Sequence, residues 1–414
     1  MKLEILNALD YKGILKELSA PISKEHMAIK LSELKIPNKK SEKYRYFDIE
    51  SLTKKEFNSV VTTKDTKPQT SNTLIEIKNG SLEKVCLAKG VEVSIDEFGD
   101  IDNDHFDALY YTSHLISSKV IKIRVSKDAE FEIKHITTQK DALIDYRVVV
   151  FVDNNVNATI YETFDIGQNN SFILSGYDIF IAPYATLNFY KNKSLNSSSD
   201  VVIFSNYYKI DSDATFNLGT YDFVSENFLN IFKAELMQRA NINATHLLYT
   251  NSNCKGGTVS EIVHIGKSAK STQNAKNILN SNSRGIFDAL IRVTNTAKGA
   301  IAHQNSKAIL LDSSAYMASK PQLEIYIDEL EASHGSTTGQ LDKRALFYLR
   351  SRGINKIEAK KMLILAFANE AIDAIKNSDI ANHIKIDFEK AYYGSSEIEC
   401  IKTCHECEEV ILKD

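Results

Sequence analysis

The hydrophobic positions at the beginning of the chain follow a helical period. Between Leu3 and Leu18, apolar residues recur at intervals of three and four positions, which predicts an amphipathic helix. A second helix is predicted from Ser23 to Leu34, and Pro37 would stop its continuation. We therefore predict that about the first 50 residues are largely helical.

A change of period separates this helical region from the middle of the chain. Residues 51–72 are polar, rich in Thr and Lys, and contain Pro68, as is typical of a linker or loop. From Leu74 onward the period becomes two, which indicates β-strands. We assign residues 1–73 to an N-terminal helical region with a linker, and residues 74–340 to a β-rich core.

A short turn followed by Ala and an alternating strand recurs through this core. The Ala residues of these units, which are separated by 29, 27, 29 and 30 positions, are Ala129, Ala158, Ala185, Ala214 and Ala244. A weaker copy lies at residues 299–302. Strand-containing repeats of this length are typical of stacked β-solenoids, in which a small Ala would suit a tight corner. We predict a β-helix; a long antiparallel sandwich with coincidental turn spacing is the alternative.

The pattern becomes helical again beyond the β-rich core. Asp342 is a predicted N-cap, and Gly353 would end the helix that follows it. Asn355 begins a second helix with a pattern that resembles a capping box. The apolar stripe of this second helix consists of Leu363, Ala366, Phe367, Ala371 and Ala374. The two helices form a predicted αα-hairpin, and residues 341–414 are assigned to a C-terminal helical domain with a cysteine-containing tail.

The composition restricts the classes of function. The chain has 414 residues, 43% of them hydrophobic, which is enough for a large core and more than one structural unit. Its formal net charge is -4, with Lys and Arg scattered along the sequence, so binding to nucleic acid has little electrostatic support. The sequence contains no apolar run long enough to predict a membrane span. Acidic residues interrupt the apolar runs at the N-terminus, so no secretory signal is predicted and we expect a cytoplasmic protein.

The cysteines are concentrated at the end of the chain. Cys400, Cys404 and Cys407 lie close together with His405, whereas the other two cysteines are isolated. Thiolates and an imidazole at this spacing are ligands for zinc, copper(I) or an iron–sulfur cluster. The four residues are therefore a candidate metal site; solvated, reduced thiols on a tail are the alternative.

Motifs of common enzyme classes are missing from the sequence. It contains no nicotinamide-binding glycine pattern, no nucleophile elbow, and no cluster of paired carboxylates for hydrolysis. His135, His246 and His264 lie in strand-like segments and are predicted to be hydrogen-bonded structural residues. We therefore predict that the chain is not an enzyme; a polysaccharide lyase built on a β-helix is the enzymatic alternative.

Five segments of the chain are informative when they are considered together. They are residues 41–48 (SEKYRYFD), 303–305 (HQN), 320–326 (KPQLEIY), 333–342 (SHGSTTGQLD) and 346–354 (LFYLRSRGI). Together they resemble the SufB/SufD family of the SUF iron–sulfur cluster assembly system. The resemblance implies a mainly β fold, with a right-handed parallel β-helix flanked by N-terminal and C-terminal helical regions. This agrees with the order of periods along the sequence.

The resemblance also implies partners. A family member of this kind would pair with a SufB-like paralogue through the β-helix. It would hold a SufC-like ATPase with its C-terminal helices, as a scaffold in a SufB–SufC2–SufD complex. The candidate residues for docking the ATPase are Leu346, Phe347, Leu363 and Phe367. An open side of the β-helix would also permit a homodimer in isolation.

The resemblance points to His334 as the candidate residue for cluster assembly. In SufB members a cysteine and a glutamate build the nascent cluster, and the matching positions here are Ala315 and Gly335, which argues for the SufD branch. Many SufD relatives carry a cysteine where this chain has Ala332. Neutral imidazole is a good iron ligand, so His334 could complete a site shared between two subunits. A simple hydrogen bond across the interface is the alternative.

No tightly bound cofactor is expected. The resemblance implies iron or a transient iron–sulfur cluster in the complex, and it is compatible with reduced flavin. A second hypothesis is a metal-binding or delivery protein that acts through its C-terminal cysteine cluster alone.

Overall fold

The computed structural model describes residues 22–38, 40–47, 49–60, 74–96, 104–117, 120–167, 169–194, 200–224 and 227–393. The helices are α1 (Ile22–Leu34), α2 (Ile49–Lys54), α3 (Ala108–Ile116), α4 (Lys343–Ser351), α5 (Lys356–Ile372) and α6 (Ser378–Tyr393), with a 3-10 turn at Glu42–Tyr44.

The strands that precede and open the repeated part are β1 (Asn58–Ser59), β2 (Leu74–Lys78), β3 (Ser81–Cys86), β4 (Val91–Asp96), β5 (Val120–Val125), β6 (Ala129–Thr137), β7 (Ala142–Val152), β8 (Asn157–Ile166), β9 (Phe172–Ile181) and β10 (Thr186–Ser194). The remaining strands are β11 (Val201–Ile210), β12 (Thr215–Val224), β13 (Asn227–Leu236), β14 (Asn241–Thr250), β15 (Lys255–His264), β16 (Lys270–Leu279), β17 (Arg284–Val293), β18 (Ala300–Leu310), β19 (Tyr316–Ile325) and β20 (Leu330–Gly339).

From β5 onward, successive strands alternate between two sheets. Sheet A has the order β19-β17-β15-β13-β11-β9-β7-β5-β4, and sheet B has the order β20-β18-β16-β14-β12-β10-β8-β6-β2-β3. From β5 to β20 the neighbours within each sheet are parallel, so the chain crosses from one sheet to the other in every turn. The result is a β-solenoid of about seven turns. The prediction of a mainly β, stacked fold is confirmed, and the antiparallel sandwich is excluded.

One corner of the solenoid is built from small residues. The residues that stack at this corner on successive turns, all of them buried, are Ala185, Ala214, Ala240, Ala269 and Ala300. The residues directly before these alanines, from Tyr184 to Gly299, have φ angles between 54° and 72°. This left-handed conformation reverses the chain direction, and the small alanine leaves room for the turn above it.

The predicted corner residues are right in part. Ala185 and Ala214 lie at the corner, as does Ala300 in the weaker copy. Ala158 and Ala244 instead lie inside β8 and β14, in register with Leu187 of the following turn and with Leu218 of the preceding turn. Ala129 is in register with Ala158 and therefore also lies away from the corner. The prediction is wrong for these three because turns differ in length, and a nearly constant interval between alanines conceals a shift in register.

Both sheets are covered on their outer faces. Helices α1 and α3 and the segment around the 3-10 turn pack on sheet A, around Phe172, Ile203 and Leu229. Helices α5 and α6 pack on sheet B. Because the interior between the sheets is also largely apolar, strands such as β9 are buried on both sides and carry apolar residues on both faces.

Helices α3 and α6 are absent from the pattern-based prediction. Seven of the nine residues of α3 are buried, so it has no polar face from which a helical period could be recognised. The buried side of α5 consists of Ala359, Ile364, Ala368, Ala371 and Ile372. This differs from the predicted stripe, in which Ala366 and Ala374 are exposed. No helix in the described ranges is both long enough and apolar enough to cross a membrane.

Candidate functional site at the open end of the solenoid

The last turn of the solenoid forms an open end. β19 and β20 are the outermost strands of sheets A and B, and within the described chain each has a neighbouring strand on one side only. Most residues of both strands are partly or fully exposed, unlike those of the preceding turns. Ile325 is 43% exposed and Tyr326 is 62% exposed. Unpaired strand edges beside exposed apolar side chains are typical of a surface that pairs with another chain.

His334 lies on β20 in a row that faces the interior of the solenoid. It is in register with Gln304 on β18, and Ser336 is in register with Ser306. Gln304 and Ser306 are interior residues, with exposures of 2% and 1%. Side chains at paired positions of a parallel sheet point to the same side, so His334 continues this interior row. It is exposed because β20 belongs to the last turn.

The surroundings of His334 are small and polar. Ser336 Oγ donates to Ser319 Oγ of β19 over 2.9 Å, which links the two sheets at the open end. Ala315 is buried in the turn before β19, and Gly335 follows His334 directly. Neither alanine nor glycine has a side chain that could bind a metal. Within the described ranges, no group of three or more His, Cys, Asp or Glu side chains could hold a metal ion.

A column of hydrogen-bonded polar side chains lies below the open end, inside the solenoid; we call it the polar column. The amide nitrogen of Gln304 donates to Gln273 Oε1 over 3.1 Å. The amide nitrogen of Gln273 lies 3.1 Å from His246 Nε2, and His246 Nδ1 lies 2.7 Å from Thr220 Oγ1. Burial lowers the pKa of His246 to about 3, so this ring is neutral at pH 7. The prediction of a hydrogen-bonded structural histidine is confirmed here.

A second polar group inside the solenoid is charged. Glu162 is fully buried, and its carboxylate lies 2.8 Å from His135 Nε2 and 3.2 Å from Lys191 Nζ. Burial by itself raises the pKa of Glu162, but the Lys191 ammonium and the His135 ring outweigh this effect and lower the pKa to about 2. The structural role predicted for His135 is confirmed. His264, also buried, has its Nε2 at 2.7 Å from Ser271 Oγ, as predicted for the third histidine.

The hairpin of α4 and α5 exposes large apolar side chains. Phe347 and Tyr348 of α4 are 72% and 57% exposed, and Ile357 and Met362 of α5 are 70% and 42% exposed. We call these four residues the hairpin patch. Side chains of this size on one short hairpin are typical of a surface that binds a partner.

The four predicted docking residues occupy different environments. Phe347 belongs to the hairpin patch, and Leu346 and Leu363 are half-buried. Phe367 packs against the cluster between α5, α6 and sheet B, and Lys276 Nζ lies 4.3 Å from the centre of its ring. Phe367 therefore contacts the solenoid of its own chain.

The cysteine cluster lies outside the described residues, which end at Tyr393. The metal site predicted there, formed by Cys400, Cys404, His405 and Cys407, stays a prediction.

A family model matches the part of the chain that carries these features. The model is described as "SUF system FeS cluster assembly, SufBD core domain", and it covers residues 133–367, which is more than half of the chain. The chain belongs to the SufB/SufD family. The match begins in β6 and ends in α5, so it includes the polar column, the open end and the hairpin patch.

Relatives of this SufB/SufD chain include proteins named SufD. The "Iron-sulfur cluster assembly protein SufD" of Escherichia coli (strain K12) is 34% identical over 143 residues, which are 34% of this chain and 33% of the relative. SufD of Bacillus subtilis (strain 168) is 28% identical over 115 residues, 28% of this chain and 26% of the relative. A SufBD family protein of Synechocystis sp. is 40% identical over 77 residues, 19% and 17% of the two chains. The chain is SufD-like, and its alignments span about a third or less of these relatives.

The residues below His334 are missed when this SufD-like sequence is read alone. Gln304 lies in one of the family-like segments, yet the segment does not show that its side chain points inward. The available signal is the alternation in β18, where Ala302, Gln304 and Ser306 share one side of the strand. The other residues on this buried side are small, so the two polar residues indicate hydrogen bonds inside the solenoid.

Proposed function

We propose that this SufD-like chain is a scaffold subunit in the assembly of iron–sulfur clusters, and that it is not itself an enzyme. The proposal depends on one observation, the exposed position of His334 at the open end of the solenoid in a SufB/SufD family member. A single imidazole beside an unpaired strand edge suits a site that ligands from a second subunit complete. Iron or the nascent cluster is the cargo of that site, and His334 binds it through a neutral ring nitrogen.

The proposed partner at the open end is a SufB-like paralogue. The free edges of β19 and β20 can pair with strands of a related solenoid, because backbone groups at a strand edge form the same ladder with any correctly placed strand. Ile325 and Tyr326 supply exposed apolar area next to these edges. Pairing in this way would cover His334 and bring it against the partner subunit.

Replacing Tyr326 with Glu is expected to weaken pairing with the SufB-like paralogue by about tenfold or more, because the interface would bury a carboxylate without a partner. The two proteins are co-expressed, and the size of the purified complex and its dissociation constant are measured. Tyr184→Glu is a matched control, since Tyr184 is also 62% exposed but lies at a solenoid corner. Pairing of Tyr326→Glu at wild-type strength, or equal weakening in both variants, would refute this interface.

The proposed partner of the hairpin patch is a SufC-like ATPase. Two packed helices that expose Phe347 and Ile357 offer apolar side chains that a groove on another protein can bury. In this arrangement ATP is hydrolysed by the partner, and α5 transmits movement because it also packs on β14 and β16 of the solenoid.

A Phe347→Asp variant is expected to bind the SufC-like ATPase at least about tenfold more weakly, since a largely exposed aromatic residue is a typical anchor of such an interface. Titration calorimetry with the purified ATPase measures the dissociation constant. Ile29→Asp on α1 is the control, because Ile29 is 48% exposed on a different helix. Pairing with the SufB-like protein should stay unchanged in both variants. Wild-type affinity of Phe347→Asp would show that the ATPase binds elsewhere.

A further inference from the structure

The hydrogen bonds of the polar column all run in one direction. The amide nitrogen of Gln304 donates to Gln273, and the amide nitrogen of Gln273 donates to His246 Nε2 and, over 2.9 Å, to Ser260 Oγ. Because His246 Nε2 accepts, the ring proton is on Nδ1, which donates to Thr220 Oγ1. Every donor of the column therefore points away from the open end.

At its upper end the polar column leaves an oxygen acceptor without a donor. Gln304 Oε1 and Ser306 Oγ are buried, and neither has a hydrogen-bond partner within the described residues. A buried polar group in this state lowers folding stability, so such groups are usually hydrogen-bonded. The amide of Gln304 cannot turn over to relieve this without breaking its bond to Gln273. Gln304 Oε1 is thus a fixed acceptor one strand below the open end.

His334 is the residue best placed to donate to this acceptor. It pairs with Gln304 in the register of β18 and β20, and neighbouring strands lie about 4.8 Å apart. A ring N–H group that points down the row spans most of that separation. Histidines that bind metals commonly donate the N–H of their second nitrogen to an oxygen, which fixes both the tautomer and the orientation of the ring.

We propose that Gln304 is a positioning residue for His334, an inference that rests on the function proposed above. In the assembled complex, Gln304 Oε1 accepts a hydrogen bond from one ring nitrogen of His334. The other nitrogen then carries the lone pair, faces out of the open end towards the partner subunit, and binds iron. The polar column keeps the Gln304 amide in the orientation that this arrangement requires.

The test uses the full chain assembled with its SufB-like and SufC-like partners. Gln304→Met removes the acceptor at similar side-chain length. Gln304→Glu keeps an acceptor at the same position, because a buried carboxyl group without a counter-charge is protonated and its O–H group replaces the amide N–H as donor to Gln273. Asn277→Leu is the matched control, because Asn277 is another buried amide, 4% exposed, on β16 of the same sheet. Iron and sulfide are measured per complex after cluster assembly, and thermal unfolding is recorded for each variant.

We expect Gln304→Met to lower the cluster yield by about tenfold, Gln304→Glu to restore most of it, and Asn277→Leu to leave it unchanged. With 15N-labelled histidine in this chain only, solid-state NMR of the complex should show one neutral tautomer of His334 in wild type and both tautomers in Gln304→Met. Equal losses in all three variants, or a mixture of tautomers in wild type, would overturn the proposal.

The two proposals fail in distinguishable ways. A normal yield from His334→Ala refutes the function proposed for His334. A low yield from His334→Ala together with a normal yield from Gln304→Met refutes only the positioning role of Gln304.

Discussion

An Asp178→Asn variant is expected to lose about 3–5 kcal/mol of folding free energy. Asp178 of β9 is fully buried under α3 and accepts hydrogen bonds from Arg147 Nη2 at 2.9 Å and from the Tyr110 hydroxyl at 2.5 Å. His114 Nε2 lies 3.1 Å from the same carboxylate. Asparagine keeps the shape of the side chain but leaves the fully buried guanidinium of Arg147 without a counter-charge. Losing these contacts would first detach α3 from sheet A, because Tyr110 and His114 belong to α3.

Urea unfolding of the wild type and the variant, monitored by circular dichroism, measures the difference in their free energies of unfolding. Asp213→Asn is the matched control, because Asp213 also pairs with an arginine, Arg239, at 2.6 Å, but at the surface of the solenoid. Solvent screens this second pair, so little change is expected. Similar losses in the two variants would show that burial does not determine the contribution of Asp178.

The pH dependence of stability gives a second measurement of the same cluster. Burial by itself raises the pKa of Asp178, but Arg147 and His114 outweigh it and hold the pKa below the ordinary value of 3.8. A carboxyl group whose pKa is lowered on folding contributes stability above its unfolded pKa and loses it as the pH falls. The advantage of wild type over Asp178→Asn should therefore be full at neutral pH and shrink below about pH 4.

Replacing His334 with Ala is expected to lower the yield of iron–sulfur clusters on the assembled complex on the order of tenfold or more, without preventing assembly of the complex. The substitution removes the proposed ligand, but His334 is exposed, so folding stability should change by no more than about 0.5 kcal/mol. Iron and sulfide content and the size of the purified complex are the two measurements. Loss of the complex itself would mean that His334 contributes to binding of the partner subunit and is not a ligand of the cluster.

His303→Ala is the control for His334→Ala. His303 lies on the neighbouring strand β18 but on the outer side of the sheet, with Nδ1 at 2.8 Å from Ser333 Oγ. Its removal should leave the cluster yield unchanged. Deleting the chain after Gly394 tests the alternative in which the cysteine tail delivers metal. If that deletion abolishes the cluster yield while His334→Ala leaves it normal, the protein delivers metal through its cysteine tail and is not a scaffold that uses His334.

Local signals are sufficient for the C-terminal hairpin. Asp342 and Asn355 are N-caps as predicted, and their side chains accept hydrogen bonds from the backbone N–H groups of Arg344 and Glu358. Gly353 has the left-handed φ of 89° that ends the first helix. These features depend on residues within one helical turn, so they can be recognised without knowledge of the fold. The buried side of α5 was predicted less accurately than these caps, because sheet B and α6 pack on the helix from two directions.

The sequence by itself determined the type and order of the elements, because periods and caps are local, and its family-like segments singled out His334. Only the tertiary structure decided which polar residues meet. Glu162 and Lys191, or Gln273 and Gln304, come together through the register between turns, and that register depends on turn lengths that vary along the solenoid. That Gln304 Oε1 lies without a donor below His334 therefore follows from the stacking of the turns, and it cannot be recognised from the sequence of one strand.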